Sequence, residues 1–191
     1  MVGRKKQMSD EALMDALEEI FLAEGYRDIT QKELAKRLGC SFRRLYNIAD
    51  SKESLFLLVI DRFFNAMKKS GWAVSSTSKP LTTRVTDYLQ VGIQAASRAG
   101  DGFNRDIAST KAGQLLFDSL QKERISGLKE LVQEGIESGE FEKYHAYFVA
   151  EVMIQVTRRV REPDFLAKSG MTFSESLEEL SKLLRFGLLH R

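Results

Sequence analysis

Proline is nearly missing from this chain, with two residues in 191, so little interrupts long helices. There is one cysteine, Cys40, which rules out an internal disulfide and suits a reducing, cytoplasmic setting. Histidine is scarce too: His145 and His190 are the only two. No HExxH, CxxC, Walker loop, GxGxxG or GxSxG occurs, so the common zinc, redox, nucleotide and hydrolase signatures are missing, and neither a cofactor nor a metal is expected. No apolar run approaches the roughly 20 residues that span a bilayer, so no membrane partner is expected. The opening MVGRKKQMSDEAL is charged and has no apolar segment, which argues against a secretory signal.

What the chain does have is apolar content, 43%, enough for a packed core. That content recurs at helical spacing. Leu13, Ala16, Leu17, Ile20 and Phe21 form a stripe from about Ser9 to Glu24, where Gly25 stops the helix. Phe56, Val59, Ile60, Phe63 and Met67 line a longer helix at 51–69, opened by Asp50 or Ser51. The Ser-, Thr- and Gly-rich stretch 70–80 reads as a linker, followed by a helix at about 81–99. Gly100-Asp101-Gly102 reads as a stop, with a short helix from about Asn104. A further helix covers roughly 113–137, with Phe117, Leu120, Leu128, Leu131, Val132 and Ile136 inward. Residues 146–156 are apolar on most sides and read as a helix buried on most sides. Residues 161–173 read as a loop. Thr172 and Glu175 then form a capping box for a last helix striped by Leu177, Leu180, Leu183, Leu184 and Leu188. The expected architecture is all-α, about nine helices, with a small N-terminal domain over 1–50, completed by the start of the helix at 51–69, and a larger one over 70–191.

Net charge is only +2, but it is unevenly placed. Between residues 32 and 52, Lys32, Lys36, Arg37, Arg43, Arg44 and Lys52 face only Glu33 and Asp50. A basic patch on a near-neutral chain fits a face for a polyanion, although charge clusters are also ordinary solvated surface.

Residues 30–56, TQKELAKRLGCSFRRLYNIADSKESLF, give that patch a shape. Thr30 and Glu33 are spaced as a capping box, Gly39 ends the first short helix, and Ser41 caps the next. Leu45 points inward onto Leu34, Ala35 and Leu38. This is a helix-turn-helix with its basic residues at the start of the second helix, the end that reaches base edges in the major groove. Arginine is the commonest specific reader of guanine, and asparagine can pair with adenine or bond a phosphate. Phe42 reads two ways: against a thymine methyl, or in the core beside Leu38 and Leu45. Cys40 reads as a small apolar turn residue, or as a redox sensor if its thiol pKa is low.

With IFLAEGYRDIT at 20–30, ELAKRLGCS at 33–41, LYNIA at 45–49 and SKESLF at 51–56, residues 13–60 resemble the N-terminal domain of the TetR family of transcriptional regulators. The order and spacing match without a gap over about a quarter of the chain. The remainder is similar only in length and helical character to that family's effector-binding and dimerisation domain. The resemblance implies that Thr30, Tyr46 and Lys52 hold the DNA backbone. The full DNA-binding set is then Thr30, Gln31, Ser41, Phe42, Arg43, Arg44, Tyr46, Asn47 and Lys52. It also implies a ligand-responsive repressor of a near-palindromic double-stranded operator, a homodimer through the last two long helices (about 144–160 and 174–190), and a small apolar or amphipathic effector.

Two departures stand out. The family's aromatic pair after "LYx" is Ile48-Ala49 here, so other bulk, Phe56 or Phe63, is expected to seat the reading helix. The usual Lys-Gly-Thr after the serine is Phe-Arg-Arg, which points to a different operator. Two rival readings are a helical interaction module without DNA, for which reversing the charges of Arg43 and Arg44 would change nothing, and an enzyme. Trp72, Tyr88, Phe103, Phe117, Tyr147 and Phe148 are the candidate walls of an effector pocket.

Overall fold

The computed structural model describes residues 8–188. The basic tail Arg4-Lys5-Lys6, His190 and the end of the expected 174–190 helix lie outside the described residues, as does the side chain of Leu188. Ten helices are present among the described residues, and no strand: α1 (Asp10–Glu24), α2 (Gln31–Arg37), α3 (Phe42–Tyr46), α4 (Lys52–Ser75), α5 (Leu81–Arg98), α6 (Asp101–Ser109), α7 (Lys111–Ser138), α8 (Ala146–Val160), α9 (Pro163–Ser169) and α10 (Phe173–Leu188). No described helix is long and apolar enough to cross a membrane.

The chain divides into two compact units. The first is the chain through Phe63 together with Ala99–Leu116, so α6 packs with the N-terminal helices although it lies far from them in sequence. Its core is a run of rings. Phe56, fully buried, meets Phe21 edge-on at 5.7 Å, stacks on Tyr26 at 4.5 Å and meets Phe103 at 5.5 Å. Phe63 closes on Phe103 from the other side at 5.9 Å. α6 is held on α1 by its first residues, with the Gly100 N–H donating to the Leu22 carbonyl at 2.8 Å. Gly102 is therefore not a stop. It sits inside α6 because a Cβ there would collide with the Glu24 carbonyl.

The second unit comprises Phe64–Arg98 and the chain from Phe117 onward. Its core draws Leu81, Val85 and Leu89 from α5, Leu128, Leu131 and Val132 from α7, Met153 from α8, and Leu180 and Leu184 from α10. Three expectations are corrected here. The linker at 70–80 is shorter, because α4 continues through Ser75 and only the residues up to Pro80 turn. Gly71 is buried in that helix, where a Cβ would stand 3.2 Å from the Tyr88 ring, so its small size serves packing and not a break. Residues 161–173 are not all loop: Pro163 begins α9, where a proline's missing N–H costs nothing. α9 ends at Gly170, in the left-handed conformation. Finally, α8 is a helix but is not buried on most sides, since Tyr147, Phe148 and Val152 are exposed.

Candidate nucleic-acid interface

The helix-turn-helix forms through local bonds. Ser9 caps α1 and Thr30 caps α2, with the Glu33 N–H donating to Thr30 Oγ1 at 3.2 Å. The reciprocal half of that box does not form. Glu33 is drawn the other way by Arg37, whose guanidinium bonds Glu33 at 2.6 Å and Glu24 at 2.6 Å. That bridge ties the end of α2 to the end of α1. Gly39 turns the chain at φ +60, which a residue with a Cβ adopts only with strain. Ser41 then caps α3 by accepting from the Arg44 N–H at 3.3 Å. Leu45, Leu34, Ala35 and Leu38 are all buried, so α3 is seated as its pattern requires. Ser51, not Asp50, opens α4, accepting from the Ser54 N–H at 3.0 Å.

The structure sorts the residues assigned to DNA into different surroundings. Phe42 is 47% exposed, not core, and its ring lies 4.6 Å from that of Tyr46. The Tyr46 hydroxyl accepts from Gln31 Nε2 at 2.8 Å, so α2 braces the exposed face of α3. Ser41, Arg43 and Asn47 are exposed. Together with Met8, Ser9 and Asp10, they border an open cleft of about 560 Å³ between the start of α1 and α3. Arg44 differs from its neighbour. Its side chain is only 13% exposed and is held by Asp10 at 2.9 Å and by the Met8 carbonyl. Lys52 is also committed: its ammonium donates to the Ile29 carbonyl at 2.6 Å and the Arg27 carbonyl at 3.0 Å, above the Tyr26 ring. It pins the loop before α2 to the start of α4.

Phe56 and Phe63, the bulk expected to make up for Ala49, both pack on Phe103. Beside Ala49, Leu34, Leu45 and Leu55 line a crevice of only about 10 Å³. That is no more than the space of one water probe, so little bulk is missing there. Burial pushes the Cys40 thiol up, against a weaker opposing pull from the Arg44 charge, which is the wrong direction for a reactive thiolate.

Sequence reasoning missed Asp106, on α6. It is fully buried, and its Oδ2 accepts from the Tyr26 N–H at 2.7 Å and the Arg27 N–H at 3.0 Å. Arg27 and Arg105 lie 3.9 and 3.8 Å from Oδ1. It thus holds the turn that leads into α2. Nothing local marks it, because its partners are about 80 residues away. Of the candidate effector walls, Trp72 and Tyr88 line a cavity of about 690 Å³ in the second unit. Phe103 and Phe117 are core, and Tyr147 and Phe148 lie on the surface. No cluster of three or more His, Cys, Asp or Glu is placed to hold a metal among the described residues.

No family model matches the chain, and no curated protein does. Solved structures match it closely in shape. A transcriptional regulator from Cytophaga hutchinsonii superposes with a TM-score of 0.73 at 16% identity, over 94% of this chain and 98% of that one. The TetR family transcriptional regulator PfmR from Thermus thermophilus gives 0.65 at 16% identity, over 94% and 99%. The transcriptional regulator FadR from Bacillus subtilis, solved with stearoyl-CoA, gives 0.66 at 16% identity, over 93% and 98%. At these identities the likeness shows the fold, and the fold is the all-α one of TetR-family regulators.

Proposed function

We propose that this chain, with the fold of the TetR-family regulators, is a cytoplasmic DNA-binding transcriptional regulator, a ligand-responsive repressor and not an enzyme. The observation that carries the reading is the tip of α3: a Ser41-capped helix with Arg43, Tyr46 and Asn47 turned outward and its apolar side buried. Arg43 is the base reader in this proposal, with Ser41, Phe42 and Asn47 beside it. Thr30, Gln31 and Tyr46 hold phosphates from the adjoining face. Phosphate contacts set register, and base contacts set sequence. Arg44 and Lys52 act mainly by fixing α3 and the loop before α2 in place, while adding positive potential. The N-terminal domain is the DNA-binding one and the larger helical domain binds effector.

The partner on α8 and α10 is a second copy of the chain. Tyr147, Phe148 and Val152 on α8 and Leu183 and Phe186 on α10 leave a large apolar surface bare, with Leu183 69% and Phe186 71% exposed. Such a surface marks an interaction site. A two-fold dimer would place two reading helices roughly 34–36 Å apart on a near-palindromic operator. An effector with different affinities for the two spacings would shift the dimer off DNA. Electrophoretic titration of the protein against genomic fragments tests the proposal. A discrete, sequence-selective complex that Arg43→Glu abolishes supports it. Equal binding by the native and Arg43→Glu chains contradicts it.

A further inference from the structure

A cavity in the second unit has a chemical bias. It lies among α4, α5 and α7 and measures about 690 Å³, within the roughly 300–1,000 Å³ of small-molecule sites. Met67, Trp72, Tyr88 and Leu131 give it apolar walls, and Trp72 is 74% exposed although it is the chain's only tryptophan. An indole left bare at a cavity mouth is available to a ligand's apolar body.

The wall also carries a guanidinium that nothing neutralises. Arg124 Nη2 donates to the Tyr88 carbonyl at 3.1 Å, and the group lies 4.9 Å from the Tyr88 ring. Nη1 is shut off from solvent and has no partner. A buried cationic donor without an acceptor is costly and calls for an explanation. The surroundings hold it there all the same. The Tyr88 hydroxyl donates to the Arg124 carbonyl at 2.7 Å, locking the two residues together. Gly92 on α5 leaves room for the guanidinium, since a Cβ there would stand 2.8 Å from Nη2. Gly127 on α7 does the same for the Tyr88 hydroxyl at 2.6 Å. Glycine weakens a helix interior, so two of them clearing space around one Arg–Tyr pair mark a built arrangement. The other charges on the rim pair off: Lys68 with Glu123 at 2.7 Å and Arg84 with Glu134 at 2.7 Å. Lys69 and Arg124 then stand against Glu130 alone, leaving the site net positive.

We propose that this cavity binds an organic carboxylate with an apolar body, Arg124 taking the carboxylate and Trp72 and Tyr88 the body. The assignment rests on reading the second unit as an effector-binding domain, and it specifies the effector as an anion. A carboxylate in the cavity would neutralise the Arg124 charge through a charge-assisted bond, a turn of the guanidinium toward the cavity bringing the closed-off Nη1 to its acceptor, with apolar contacts carrying the remaining affinity.

The test is a titration of the full chain followed by Trp72 fluorescence. The probes are decanoate and naphthalene-2-carboxylate, each paired with its methyl ester, and decyltrimethylammonium as the charge-reversed control. At least one acid is expected to bind tenfold or more tightly than its ester, and the ammonium not to bind. Arg124→Met should bring that acid and its ester within about twofold. Gly92→Ala keeps the charge but displaces the guanidinium, and should lose much of the same preference. The assignment is overturned if neither acid outbinds its ester, or if Arg124→Met keeps the preference. Should Arg124→Met fail to fold, the native acid-to-ester ratio and Gly92→Ala still decide. No DNA is present in this assay, so its failure leaves the operator proposal standing. Failure to bind DNA would likewise leave the carboxylate site intact.

Discussion

Arg43 and Arg44 are neighbours in sequence but not in circumstance. Arg43 faces solvent at the tip of α3, while Arg44 is clasped by Asp10 and the Met8 carbonyl. Arg43→Ala should therefore remove discrimination between operator and scrambled duplex by about 1–3 kcal/mol, read by fluorescence anisotropy. Arg44→Ala should weaken both duplexes together. Lys52→Ala should lower the salt slope by less than the roughly one unit of a lost phosphate contact and should lower the melting temperature, because it leaves two loop carbonyls without their donor. A Lys52 variant with native stability would contradict the bracing role. Asp106→Ala strips the acceptor from a buried N–H, that of Tyr26, and a part-buried one, that of Arg27, and urea denaturation should show a loss of about 2–4 kcal/mol, with Asp106→Asn milder. The outward set around Ser41 to Asn47 was legible in sequence because capping and turn residues act over three or four positions. The roles of Arg44, Lys52 and Asp106 were not, because each is decided by a partner brought near only by folding.

Among the helices, the end signals differ in how far spacing alone decides them. Thr172 and Glu175 close their box in both directions, at 2.7 and 3.2 Å. Thr30 and Glu33 have the same spacing but close only one, since Arg37 competes for the carboxylate. Glycine misleads more. Gly71 and Gly102 read as breaks, yet both lie within helices: a Cβ at Gly102 would collide with the Glu24 carbonyl, and one at Gly71 would press on the Tyr88 ring. The hydrogen bonds from the Thr172 N–H and hydroxyl hold the Glu175 carboxyl below the ordinary glutamate value of about 4.3. A depressed folded pKa means the cap is at full strength above that ordinary value and is lost as pH falls through the lower, folded one. Hydrogen exchange at the Thr172 amide should show protection that fails only in that acid range. Glu175→Ala should remove both the protection and its pH dependence. Protection of the native chain that does not change with pH would contradict this.

For the whole molecule, the bare face of α8 and α10 is the feature most in need of a partner. The run at 146–156 correctly reads as helix, but its apolar excess cannot be buried within one chain: Tyr147 and Phe148 stay outside. A sequence shows that a face is apolar without showing whether its own chain or another covers it. Phe186→Asp, alone or with Phe148→Asp, should convert a dimer to a monomer at micromolar concentration in sedimentation, with little change in helical content. A native chain that is already monomeric there would contradict the dimer. The central claim, that the α3 tip reads an operator, is tested most directly by selecting genomic fragments with the purified chain and sequencing what is retained. The account predicts a near-palindromic motif with half-site centres roughly one helical turn apart, and its loss or relaxation with Arg43→Ala. No enrichment, or the same motif from Arg43→Ala, would contradict it.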